Sequence, residues 1–211
     1  VERLLEFAIQ SYYPDIVEES DKYRIFFQRT VQRTAKLIAK WQAVGFIHGV
    51  MNTDNMCITG TTFDYGPYGF MDRFVPNHTS NHSDTHGRYA YSQQPEIGFW
   101  NLNKLAETLT PLIGAEILEE EMKQYQPTFN RFYREEMSKK LGLAILDSEF
   151  TQLVQEMFQL LHNQQLDYTN FFRFLANYPA ASSSNDDLRS WLNRYLELTQ
   201  REGMSHEERK A

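Results

Sequence analysis

Cysteine is almost absent. Cys57 is the single one in 211 residues, so no disulfide can close within the chain, and a thiol inside the run Met56-Cys57-Ile58 reads as buried and inert. No apolar run approaches the roughly 20 residues that a membrane-spanning helix needs, and no amino-terminal signal pattern stands out. Neither a membrane span nor a secretion signal is therefore expected in this segment. Basic residues are in deficit, 21 against 28 acidic, for a net charge of −7, which argues against a nucleic-acid surface built from bulk charge. Internal repeats and low-complexity blocks are missing too. What remains is 41% hydrophobic, enough for one sizeable core as a single domain with a helical extension.

Most of the chain has helical spacing. Residues 1–11 put Leu4, Leu5, Ala8 and Ile9 on one stripe, which Tyr12-Tyr13-Pro14 ends. From Ser20-Asp21 to Val44, Tyr23, Phe27, Val31, Ala35, Ile38 and Trp41 recur at steps of three and four, and Gly45 closes the helix. Arg24, Arg29 and Arg33 on it read as a solvated face rather than a phosphate site. After Pro95 the periodicity resumes. One helix runs through Trp100, Leu102, Leu105, Ala106 and Leu109 to near Pro111, and another from Glu116 to Lys140, kinked or interrupted by Pro127. Helices over 147–162 and 168–176 follow. Beyond a small-residue linker at 180–185 comes a helix capped by Asp186-Asp187 that bears Leu188, Trp191, Leu192, Tyr195 and Leu198. Residues 201–211 are polar and are expected to fray. Residues 67–95, rich in Gly, Pro, Asn, Ser and His, form a long ordered loop of the kind that usually carries function. His78, His82 and His86 recur there every four residues, but Pro76 and the surrounding Asn, Ser and Gly exclude a helix that would align them. They read as hydrogen-bonded loop histidines, not a zinc site.

Carboxylates, an amide and glycines cluster in one place, residues 46–66, FIHGVMNTDNMCITGTTFDYG. His48-Gly49 makes a turn after the long helix, and Asp54-Asn55 are adjacent oxygen donors. Met56-Cys57-Ile58 and Thr61-Thr62-Phe63, separated at Gly60, predict two short strands in a hairpin leading into Asp64-Tyr65-Gly66. Such a hairpin holds Asn55 and Asp64 on one side, close enough to share a cation. Hard oxygen donors suit Mg²⁺ or Mn²⁺, which keep several waters and take further ligands from phosphates. Taken singly, Asp54-Asn55 also reads as a self-capped turn and Asp64-Tyr65-Gly66 as a hairpin exit; the clustering is what points to phosphate chemistry.

This stretch resembles the catalytic core of the protein-kinase-like fold, where H-x-D-x-x-x-x-N precedes a hairpin and a D-F-G. His48 and Asn55 stand at that spacing, and Asp64-Tyr65-Gly66 replaces D-F-G. Val50 occupies the place of the usual catalytic aspartate and cannot accept a proton, while a carboxylate appears at Asp54, just before the asparagine. With HGVMNTDNM, DYGPYGF, NHSDTHGRYAYSQQP and WNLNKLAETL, the chain resembles the selenoprotein O family of protein adenylyltransferases, from its first helices through at least Ile113. The resemblance implies a mostly α chain: the helical larger lobe of a protein-kinase-like fold with a small β hairpin at the catalytic loop. Residues 1–113 would hold the catalytic loop, the metal site and the activation-segment-like loop, with 114–211 a helical extension packed on them. It implies transfer of AMP from ATP, bound reversed relative to a kinase, to Ser, Thr or Tyr hydroxyls of proteins, with release of pyrophosphate. Asp54 would be the catalytic base. Asn55 and Asp64 would hold Mg²⁺ or Mn²⁺, Asp64 thereby contacting the bound nucleotide, and His48 would brace the loop. Asp84, Arg88 and Tyr89 would brace the activation-segment-like loop or meet the protein substrate.

No G-x-G-x-x-G loop and no lysine-bearing strand precede His48. The chain is therefore expected to be a fragment without the smaller lobe and its nucleotide-binding lysine and arginines, and to be inactive by itself. The surface around 48–55 and 66–70 should then be exposed and apolar. The expected partners are ATP and hydroxyl-bearing protein substrates, with no nucleic acid and no membrane. The expected place is a bacterial cytoplasm, or the mitochondrion if the source is eukaryotic. A kinase-like phosphotransferase is disfavoured by Val50, and a non-catalytic pseudokinase scaffold by the retention of Asn55 and Asp64 together.

Overall fold

The computed structural model describes residues 1–144, 146–178 and 185–203. Eight α-helices and one two-stranded sheet make up the regular structure of those residues, so the chain is mostly α, as its periodicity implies. Helix α1 (Glu2–Tyr12) buries Leu5 and Ile9, and Pro14 opens a 3₁₀ turn, Pro14–Ile16, after it. Helix α2 (Lys22–Val44) is the centre of the molecule. Phe27, Val31, Ala35, Ile38 and Ala39 are at most 1% exposed, and even Thr30, Thr34 and Gln42 are buried, because helices pack on more than one side of it. Gly45 ends it in a left-handed conformation.

Helices α3 (Gln94–Ile113), α4 (Ala115–Lys123) and α5 (Tyr125–Leu141) pack on α2. Pro111 is accommodated inside the last turn of α3, which runs on to Ile113. The interruption expected at Pro127 falls instead at Gln124, and Pro127 sits in the first turn of α5, where a missing N–H costs no helical bond. Helices α6 (Ser148–Asn163) and α7 (Tyr168–Asn177) are capped by Asp147 and Asp167, whose carboxylates accept from the amides of Phe150 and Asn170. Helix α8 (Asp186–Glu202) is capped by Asn185, not by the aspartates. Asp186 and Asp187 occupy its first turn, where they face the positive end of the helix dipole. The linker before Asn185 and the polar end beyond Gly203 lie outside the described residues. The core has two clusters. One joins α1 to α4 and the start of α5 around α2; the other joins the end of α5 to α6, α7 and α8, and takes in Ala43, Ile47, Met71, Phe74 and Tyr91. Among the described residues, no helix is long and apolar enough to cross a membrane.

The end of α2 is held by unusually many side chains. Tyr91 Oη donates to the Gln42 carbonyl (2.6 Å), Gln42 Nε2 returns a bond to the Tyr91 carbonyl (2.8 Å), and Tyr168 Oη and Lys140 Nζ both donate to the Ala43 carbonyl at 2.9 and 2.7 Å. These bonds satisfy carbonyls that a helix end leaves open and so set the direction in which the chain enters the loop that carries Asp54 and Asn55. Burial pulls the Lys140 ammonium down to about 8, although its position 3.8 Å from the Phe172 ring centre favours the charged form. A folded pKa below the unfolded one means the unfolded chain binds more protons above pH 8, so this group's contribution to stability rises from there toward 10.5. Buried Tyr91 and Tyr168, pushed up by desolvation, act oppositely only above about pH 10. Urea denaturation between pH 8 and 9.5 should show a rise of roughly 1 kcal/mol, after discounting for the ring and the hydrogen bond, that Lys140→Met abolishes.

Candidate active site

The loop after α2 begins with strand β1 (Phe46–Ile47), which pairs antiparallel with β2 (Gly69–Phe70) in the register Phe46↔Phe70 and Ile47↔Gly69. A small sheet therefore stands at the loop, but not between the segments expected. Residues 56–58 and 61–63 form no ladder; they turn at 57–60, where the Gly60 amide donates to the Cys57 carbonyl (3.0 Å). Tertiary contacts displaced the hairpin. Met56 and Ile58 pack against the first core cluster, Tyr13 Oη takes the Ile58 carbonyl (2.5 Å), and Trp41 Nε1 takes the Thr62 hydroxyl (2.8 Å). Residues 56–58 are thus held by Tyr13, just after α1, and residues 61–63 by Trp41 of α2, instead of by each other. Cys57 is half-buried, not buried. Burial pushes its thiol up, but hydrogen bonds from Thr59 and Thr61 outweigh this and hold it below the ordinary value.

Side-chain amides fix the loop backbone. Gln94, fully buried at the start of α3, donates to the Phe46 carbonyl (2.9 Å) and accepts from the His48 amide (2.9 Å), completing the pattern of a strand neighbour. Asn81 Nδ2 donates to the Gly49 carbonyl (3.2 Å), Asn55 Nδ2 to Val50 (3.0 Å) and Asn101 Nδ2 to Met51 (3.0 Å). None of Gln94, Asn81 and Asn101 was singled out from the sequence. A signal existed for two of them: Gln94 and Asn101 are seven apart and share a buried face of α3, where a polar residue needs a partner. Gly49 has φ +84, and a Cβ there would lie 2.7 Å from both the Pro67 carbonyl oxygen and Ser80 Oγ. Gly49→Ala should therefore cost about 2–4 kcal/mol from backbone strain plus crowding, read as a lowered urea midpoint with unchanged slope.

His48 is 2% exposed, and its Nε2 contacts the Phe63 carbonyl (3.1 Å). A carbonyl can only accept, so Nε2 carries the proton and donates; His48 braces the loop, as expected. Its Nδ1 is buried without a partner. The bond fixes the residue before Asp64, while the Tyr65 ring after it lies 6.4 Å from that of Phe46. Asp64 is thereby tied at both flanks to the start of the catalytic loop. Its φ of +56 is a conformation that aspartate tolerates better than most residues.

Asp54 and Asn55 lie in a 3₁₀ turn, Thr53–Asn55, begun by Asn52, whose carbonyl accepts the Asn55 amide (3.0 Å). Asp54 and Asp64 are exposed, and among the described residues neither carboxylate has a hydrogen bond or ion pair. The amide of Asn55 is spent on Val50, leaving its Oδ1 without a donor. The carboxylate oxygens of Asp54 and Asp64 and the amide oxygen of Asn55 are hard donors of the kind that suits Mg²⁺ or Mn²⁺. The histidines of the long loop are not part of such a set: among the described residues, no group of three or more His, Cys, Asp and Glu could hold a metal ion.

The surface expected to be open is only partly so. Phe63, Tyr65, Tyr68 and Phe70 are 41–60% exposed and lie together beside Asp64, whereas His48 and Met51 are buried because Gln94, Asn101 and α2 cover them.

Fold and loop together define a class: a mostly helical unit with one small antiparallel sheet, whose loop after α2 carries an aspartate next to an asparagine. A model of the family Protein adenylyltransferase SelO matches residues 1–208. The chain is 44% identical over 202 residues to Protein nucleotidyltransferase YdiU of Vibrio vulnificus (strain YJ016), an alignment covering 92% of this chain and 41% of that protein. It is 42% identical over 207 residues to Protein nucleotidyltransferase YdiU of Aliivibrio salmonicida (strain LFI1238), covering 94% of this chain and 43% of that protein. The chain belongs to the SelO family of protein adenylyltransferases, and it spans about two-fifths of the length of these relatives.

Proposed function

We propose that the full-length protein transfers AMP from ATP to Ser, Thr or Tyr hydroxyls of proteins. Asp54 accepts the hydroxyl proton, the hydroxyl oxygen attacks the α-phosphorus, and pyrophosphate leaves. Asn55 and Asp64 are the residues of this chain that would hold Mg²⁺ or Mn²⁺, which when bound neutralises charge on the phosphates. One observation carries the reading. In a loop where amides bind the carbonyls of Phe46, Gly49, Val50 and Met51, the oxygens of Asp54, Asn55 and Asp64 are left free. Residues 1–113 form the catalytic part, with 114–211 packed on it through α5 against α2, and a further lobe of the full-length protein supplies cationic groups for the phosphates. The relatives named above are bacterial, and the setting proposed for this protein is a bacterial cytoplasm.

The experiment is incubation of the full-length protein with ATP labelled at the α or the γ phosphate, a divalent cation and protein acceptors. Transfer of α-label is the expected result. Transfer of γ-label would instead make this a kinase-like phosphotransferase, and no transfer of either a non-catalytic pseudokinase scaffold.

A further inference from the structure

Among the described residues Asp54 has no side-chain partner, so its position depends on what holds the 3₁₀ turn that carries it. Beneath the turn, Asn101 and the Asn55 amide bind the carbonyls of Met51 and Val50. The start of the turn is Asn52, exposed to solvent, and its side chain is held by a residue from a distant part of the sequence: Tyr89 Oη donates to Asn52 Oδ1 at 2.5 Å. Tyr89 is itself fixed. Asp84 accepts the Arg88 amide on Oδ1 (2.9 Å) and the Tyr89 amide on Oδ2 (2.7 Å), and the Asp84 carbonyl accepts the Gly87 amide (3.2 Å). One carboxylate thus closes the 84–89 turn. The Arg88 guanidinium lies 5.6 Å from the Tyr89 ring centre and 4.8 Å from that of Trp100, and Tyr89 packs against the first core cluster. The end of the long loop is consequently built to present one phenol to the residue that begins the catalytic turn.

We propose that Tyr89 and Asn52 are positioning residues for Asp54, coupling the order of the 67–90 loop to the geometry of proton abstraction. This rests on the adenylyl-transfer reading. Asn52 works at both ends: its carbonyl starts the turn by accepting the Asn55 amide, and its side chain is the handle that Tyr89 grips. Releasing the handle lets the turn shift without removing any group that touches nucleotide or acceptor. A loss of orientation of this kind falls on the chemical step, not on ground-state binding.

The test uses the full-length protein, α-labelled ATP and a protein acceptor. Tyr89→Phe, which keeps the ring and removes only the hydroxyl, should lower kcat about 3–10-fold, the scale of one lost hydrogen bond, with KM for ATP within about twofold of wild type by the same reasoning. Asn52→Ala should do the same. The double variant should be no slower than the slower single one, because both remove the same contact. Thermal unfolding of Tyr89→Phe should stay near that of wild type; a purely structural role would lower it and leave kcat of the folded fraction untouched. Wild-type kcat in Tyr89→Phe, or losses that multiply in the double variant, would overturn the positioning role while leaving adenylyl transfer standing. A wild-type protein that transfers no AMP would sink the underlying reading and this role with it.

Discussion

Asp54→Ala in the full-length protein is expected to lower AMP transfer by about 10²–10⁴-fold, the usual worth of general-base assistance. The loss should fall on kcat, since in the proposed role Asp54 would meet the incoming hydroxyl and not the nucleotide. Asp64→Ala should cost at least as much. It removes a carboxylate that would bind the cation and with it charge stabilisation on the phosphates, so the affinity for metal-bound ATP should fall as well. Titration of the two variants with Mn²⁺ and ATP separates these effects: Asp54→Ala should bind like wild type, Asp64→Ala more weakly. Near-wild-type transfer by Asp54→Ala with unchanged ATP affinity would remove Asp54 from the base role. Val50, at the place where a kinase keeps its aspartate, has no carboxylate to substitute for it.

The second large effect concerns the 211 residues by themselves, which are expected to fold cooperatively and to transfer no AMP. Tyr13, Phe27, Ile38, Tyr125, Phe150 and Tyr168 are at most 2% exposed, and each such side chain contributes roughly 1.5–3 kcal/mol on burial. They belong to two extended buried clusters, and burial summed over such clusters, not over a few side chains, is what opposes the chain entropy of a domain. Activity should fail because Asp54, Asn55 and Asp64 would supply only one wall of the proposed site, whereas group transfer at phosphorus depends on positioning and on cationic groups around the phosphates. The exposed aromatic group of Tyr65, Tyr68 and Phe70 beside Asp64 is the surface on which the rest of the protein would close. Circular dichroism with urea denaturation reads the folding, and α-labelled ATP with an acceptor reads the activity. Substantial transfer by the isolated chain would mean that the nucleotide site lies within these residues.

Periodicity alone made most of the helices legible. Steps of three and four along α6 and α8 reflect one face kept from water, those along α2 the apolar part of a helix buried on more than one side, and the start at Asp147 and stop at Gly45 follow from backbone chemistry local to those residues. The loop motif was legible as well, because His48, Asp54, Asn55 and Asp64 are few, polar and at a spacing that resembles a known family. Local pattern could not decide which segment pairs with which. Thr61-Thr62-Phe63 has strand propensity, yet Tyr13 and His48 take the Ile58 and Phe63 carbonyls of the expected hairpin, and Phe46 pairs with Phe70 across 24 positions. The amides of Gln94, Asn81 and Asn101 had no visible role until α3 and the long loop were brought against the catalytic turn. The residues and their chemistry were thus determined by the sequence itself, since propensity and ligand character belong to single side chains. Which backbone groups those side chains satisfy was decided only by the tertiary structure, because a hydrogen bond between Tyr89 and Asn52 exists only once the intervening chain has folded back on itself.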